Sequence, residues 1–256
     1  MYRVIAVYRR DIAEIVRSTV FRVVVALYGA VALGCAVTIG VALARFASRL
    51  ESAGAPDPAE ILRMLIPNLV LGMGGILAVS IAYLMPIWVF GSTQMTREKA
   101  SRTVESVLAT PLTPIEFWLG KSLALFVPGT IMALFGSAAF VLVPQAWASV
   151  ATGSSLLMLP APVALTLFLA TPVAYLWMAL LTTGVSMALG PDAAIAPSLL
   201  LGFASMIGIP IAAALQTVRF DTWNFAAILG GAAVIATALL IPASRMLNSE
   251  RILRSL

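Results

Sequence analysis

Residues 64–92 read MLIPNLVLGMGGILAVSIAYLMPIWVFGS, 29 positions without an Asp, Glu, Lys or Arg. About 20 apolar residues suffice for a helix that crosses the hydrocarbon of a bilayer. The stretch Met64–Ser92 therefore predicts a transmembrane helix, with length to spare for tilting or kinking. Working outward from it, five further runs have the same character: Val23–Ala44, Trp118–Val143, Pro162–Leu189, Ile195–Gln216 and Phe225–Ala243. Lys121, one turn into the third span, is the single charged residue in the six.

The composition agrees. Of 256 residues, 61% are hydrophobic and 11% charged, and the mean hydropathy is +1.02. A soluble domain is about half apolar and about a quarter charged. So little charge cannot clothe so much apolar surface in water, and lipid is the natural solvent. The single cysteine, Cys35, allows no intrachain disulfide, and there is no histidine. Most of the usual ligands for zinc, copper or haem are thereby missing. The net charge of +5 reads as loop charge rather than as a nucleic-acid footprint.

Lys and Arg set the expected orientation. With the N-terminus in the cytoplasm, Arg3, Arg9, Arg10, Arg17, Arg22, Arg97, Lys99, Arg102, Lys121, Arg245, Arg251 and Arg254 fall inside. Only Arg45, Arg49, Arg63 and Arg219 fall outside. Twelve against four is a strong positive-inside bias, so both termini are expected in the cytoplasm of a multi-pass protein of the cell membrane. The run Val23–Ala44 is too long for a cleaved signal and is read as retained.

Residues 1–22 predict a helix of a different kind. Val4, Ile5, Tyr8, Ile12, Ile15 and Val16 fall within a stripe about 120° wide at 100° per residue, with Arg3, Arg10, Glu14 and Arg17 opposite. Such a helix lies in the membrane interface rather than crossing it. The expected fold is an all-α integral membrane protein: one interfacial amphipathic helix, then six transmembrane helices, forming a single domain over 1–256.

The segment 96–114 is the longest charged stretch. Glu98 and Arg102 stand four apart, and Arg102 and Glu105 three apart, so each pair can meet on a helix face. Val104, Val107 and Leu108 give the same helix a short apolar face. Pro111 stops it, and Pro114 restarts the chain into the next span. A short amphipathic helix of this kind is suited to a groove on a soluble partner.

The string Arg97-Glu98-Lys99, then Thr103-Val104-Glu105-Ser106-Val107-Leu108-Ala109-Thr110-Pro111-Leu112, then Leu119-Gly120-Lys121 resembles the cytoplasmic loop of ABC type-2 exporter permeases. The likeness is motif-specific over about residues 94–122 and architectural over the rest. It implies a permease paired with a second permease subunit, identical or a paralogue, above two copies of a separate ATPase that binds the ATP and Mg. It also implies that Arg97, Glu98, Arg102, Val104, Glu105, Val107 and Leu108 form the coupling helix docking that ATPase. No cofactor is expected in the chain itself, and no catalytic residue.

Other readings narrow the field. Gly120-Lys121-Ser122 ends like a phosphate-binding loop, but Ile115 stands where that loop needs its first glycine. No Asp, Glu or His lies mid-span to carry protons or act as a base, which disfavours a proton antiporter or an intramembrane hydrolase. The remaining alternatives are a non-transporting membrane scaffold and an ion-coupled carrier. If the chain is a permease, Asn68, Ser80, Tyr83, Thr130 and Tyr175 are the expected lining of its translocation path, and an uncharged path suits a hydrophobic or amphipathic cargo.

Four small residues, Ala32, Ala36, Gly40 and Ala44, recur at every fourth position of the first span. They predict close helix packing, within the subunit or across a dimer. Pro86, Pro128, Pro172, Pro197 and Pro210, with Gly72-Met73-Gly74-Gly75, predict bent or broken spans. The fifth span is the one expected to break or re-enter. The uncharged segment Pro144–Ala161 is expected at the outer interface.

Overall fold

A computed structural model gives the fold. It describes residues 2–54, 57–91, 98, 112–153, 159–188, 199–200, 202–204, 206–208, 210–212, 215 and 219–244, the last four as backbone only. The described residues form helices and no strand. Helix α1 is Tyr2–Arg17 and α2 is Thr19–Ser52. Next come α3, Pro58–Phe90, α4, Pro114–Thr152, and α5, Ala161–Ala188. The last, α6, is Trp223–Ser244.

Five of these, α2 to α6, are long and apolar enough to cross a membrane. They match five of the six expected spans. The remaining one, Ile195–Gln216, is described only in part, and within it 199–200, 202–204, 206–208 and 210–212 are helical.

Local chemistry fixes the ends. The Ser18 hydroxyl accepts from the Phe21 amide at 3.0 Å and starts α2. Asp57 accepts from the amides of Ala59 and Glu60, with Pro58 in the first turn of α3. Thr113 and Glu116 form a reciprocal capping box around Pro114, which opens α4 where the proline predicts it. Gly153, at φ 63°, closes that helix in the left-handed region.

Helix α4 is the axis of the fold: it packs against α1, α2, α3 and α5, while α6 lies on α5. The small-residue line of α2 faces inward along it. Ala32 and Ala36 are at most 4% exposed, a Cβ on Gly40 would come within 2.8 Å of the Trp147 ring, and Ala44, at the end of the line, is half-buried. Of the two packings that spacing allowed, the one within the chain is observed. Trp147 belongs to a segment expected at the interface, yet α4 runs on through Pro144 to Thr152. The indole seated over Gly40 and the buried Gln145 and Ala148 hold those extra turns against α2.

The expected bends take a specific form. Ile66–Gly75 within α3 and Thr166–Ala170 within α5 are π-helical, whereas Pro86 and Pro128 sit inside continuous α-helix. A π turn widens the helix and frees backbone groups, and it is uncommon beyond a single turn. The two π stretches touch: a Cβ on Gly75 would lie 3.3 Å from Leu167.

Burial separates centre from periphery. Most of α3 is buried, whereas α2 and α6 are largely exposed. Val23, Leu27 and Val31 on α2, and Ile228, Val234 and Ile235 on α6, are each more than half exposed. These outward apolar faces fit a multi-pass membrane protein.

Candidate functional site

Two polar assemblies interrupt the apolar interior. The first gathers charge at the start of α4. Lys121 is 3% exposed and Asp11, on α1, only 1%. The Lys121 Nζ lies 3.0 Å from Asp11 Oδ2 and 2.7 Å from Glu98 Oε2. Arg10 Nη2 reaches the other Glu98 oxygen at 3.2 Å. The ammonium also sits 4.9 Å from the centre of the Phe117 ring. Two cations and two carboxylates cancel, which is the condition for keeping charge out of water. Nearby, Arg3 approaches Glu116 at 3.9 Å.

The neighbouring glycine has a steric role. A Cβ on Gly120 would fall 2.7 Å from Val7 Cβ and 3.1 Å from the Val4 carbonyl. Gly120 lets α1 lie directly on α4, and Lys121 then meets Asp11. The Gly-Lys pair that imitates a phosphate loop is thus accounted for by a helix crossing and an ion pair.

The side of α1 that packs on the protein is the Val4, Val7, Tyr8, Asp11 and Ile15 side, while Ile5 and Val16 are exposed. Asp11 escaped the sequence reading, which counted only apolar positions in the stripe. Its signal was a carboxylate at the edge of that stripe, beside Val4, matched by the one lysine inside a span.

The second assembly is a seam of hydroxyls between α3, α4 and α5. The Ser122 hydroxyl donates to the Trp118 carbonyl at 2.8 Å and lies 2.6 Å from Thr183 Oγ1. The Trp118 indole donates to the Leu180 carbonyl at 2.8 Å. Two turns along α4, the Tyr83 hydroxyl donates to Thr130 Oγ1 at 3.2 Å. The Tyr83 ring is sandwiched between Tyr175 at 5.4 Å and Phe126 at 5.2 Å, nearly parallel to both. The Ser186 and Thr171 hydroxyls are buried with no hydrogen-bond partner among the described residues.

Of the expected path residues, Tyr83, Thr130 and Tyr175 come together in this stack. Ser80 is buried at 1% exposure, one turn before Tyr83 on α3. Asn68 stands apart, in the π stretch. Its Oδ1 accepts from the Phe220 amide at 2.9 Å and so ties the segment entering α6 to α3.

Of the expected coupling residues, Glu98 is described and belongs to the charge cluster. Arg97, Arg102, Val104, Glu105, Val107 and Leu108 lie outside the described residues. No group of three or more His, Cys, Asp or Glu able to hold a metal occurs among the described residues. No family model matches the chain, and no curated protein or solved structure is significantly similar to it.

Proposed function

We propose that the chain is the membrane-spanning permease subunit of an ATP-driven exporter, paired with a second permease subunit and with two copies of a separate ATPase. Both termini and the loop 96–114 face the cytoplasm, and the cargo is hydrophobic or amphipathic. The observation that carries this reading is the position of Glu98. It stands at the head of the loop that resembles a coupling helix, and its carboxylate bridges Lys121 on α4 and Arg10 on α1.

A push on the loop would pass through that carboxylate into two helices at once. Helix α4 would carry the movement to α2, α3 and α5. The hydroxyl seam then supplies groups that exchange partners as α3, α4 and α5 move, and Tyr83, Thr130 and Tyr175 are the part that would open to cargo. The π turns in α3 and α5 supply compliant points, since π segments recur at functional sites.

The test is Val107→Asp or Leu108→Asp. Either variant is expected to insert normally in the membrane and to lose its bound ATPase. An ATPase that copurifies undiminished with both variants would refute the coupling role. Cargo-stimulated ATP hydrolysis separates the exporter from a non-transporting scaffold.

A further inference from the structure

We infer that the exposed groove along α2, from Val37 to Arg49, binds an anionic phospholipid. An open, shallow groove of about 530 Å³ runs along this face, and its described lining belongs to α2 alone. Val37, Val41, Ala42 and Phe46 give it an apolar surface, and Arg45 and Arg49 stand at one end. Both arginines are exposed. Among the described residues, no carboxylate lies within ion-pair distance of either.

Three features select this occupant. From Val37 to Arg49 the helix rises about 18 Å at about 1.5 Å per residue. That is close to one leaflet of a hydrocarbon core about 30 Å thick. The groove thus has the length of an acyl chain, with its cationic end at the depth of the phosphates. The two guanidiniums, four residues apart on one face, suit a phosphate whose charge no ammonium cancels. A second copy of α2 fits worse. Two copies inserted in the same direction and related by a two-fold axis bring Arg45 and Arg49 to the same depth as their counterparts, where like charges repel.

The inference is independent of the transport reading and is tested on the whole chain. Lipid-stripped protein in detergent is given phosphatidylglycerol or phosphatidylcholine of identical acyl chains, and bound lipid is counted by native mass spectrometry. Phosphatidylglycerol should be retained preferentially. Arg45→Gln and Arg49→Gln should each weaken its retention about fivefold, the attraction of one cation to an anionic surface, and leave phosphatidylcholine unchanged.

A photoactivatable phosphatidylglycerol should label wild-type protein within 37–49, a readout that does not need the variants to fold. Equal retention of the two lipids, or labelling only outside 37–49, overturns the inference. So does displacement of phosphatidylglycerol by inorganic phosphate alone, which would mark a simple anion site. A double variant that turns monomeric while keeping its lipid preference would assign the face to a second copy instead.

Discussion

An ammonium held 3% exposed between two carboxylates has no good neutral replacement. Lys121→Met leaves the buried Asp11 with only a long 3.9 Å contact to Arg10, a loss of about 3–5 kcal/mol for a group stripped of its close partner. Thermal unfolding in detergent should register a large drop in midpoint. Adding Asp11→Leu removes the buried pair as a unit, leaves Glu98 with Arg10, and should recover most of the loss. Equal midpoints for the single and double variants would mean that the two residues are not coupled. A smaller effect is expected at Tyr28, whose hydroxyl donates to the Ala78 carbonyl at 3.0 Å. Tyr28→Phe should cost about 1 kcal/mol in a denaturation series.

This scale was the hardest to read from sequence. Lys121 is conspicuous as the lone charge in the spans, yet its partner lies 110 positions away. Asp11 is also flanked by Arg10, which makes it look like ordinary surface charge. Helical register places it at the border of the apolar stripe, next to Val4, and a polar residue there becomes informative only when a complementary one is sought elsewhere.

At the scale of elements, Gly120 sets how closely α1 lies on α4. Gly120→Leu should lift α1 away, since its first carbon already meets Val7. Hydrogen exchange should rise along Tyr2–Arg17 and stay unchanged in the centre of α3. Uniform exchange across both helices would mean that α1 is not seated by this contact. Asn68 offers a parallel test on α3. Asn68→Ala removes the acceptor for the Phe220 amide, and faster exchange at 220–225 is expected while α1 keeps its protection.

Five long helices were legible because apolar length is a composition signal, and the small-residue line of α2 was legible as a packing face. Whether that face met this chain or another could not be read, because the spacing is the same for both. The π stretches were legible only as weakness. Gly72 to Gly75 and the prolines mark where a helix yields, but the hydrogen-bond register it adopts is decided by neighbours such as Leu167 and Phe220. The end of α4 was missed because Pro144 suggested a stop. Trp147 against Gly40 outweighs the single backbone bond that the proline removes.

For the whole molecule, the exporter reading joins three observations: an uncharged hydroxyl seam, two π-helical stretches, and a charge cluster that ties a loop residue to α1 and α4. It predicts that Glu98→Gln, which weakens both of that residue's ion pairs, lowers cargo-stimulated ATP hydrolysis while the ATPase stays bound. Val107→Asp should instead release the ATPase. A Glu98→Gln variant with normal stimulation would detach the cluster from the coupling mechanism without touching the docking claim.

The most direct test of the central claim is purification of the tagged protein from its native membrane in mild detergent, with its partners identified by mass spectrometry. The account predicts a stoichiometric protein carrying a phosphate-binding loop, lost on Val107→Asp. An intact, monodisperse permease that brings no ATPase with it would contradict the account and favour a scaffold or an ion-coupled carrier.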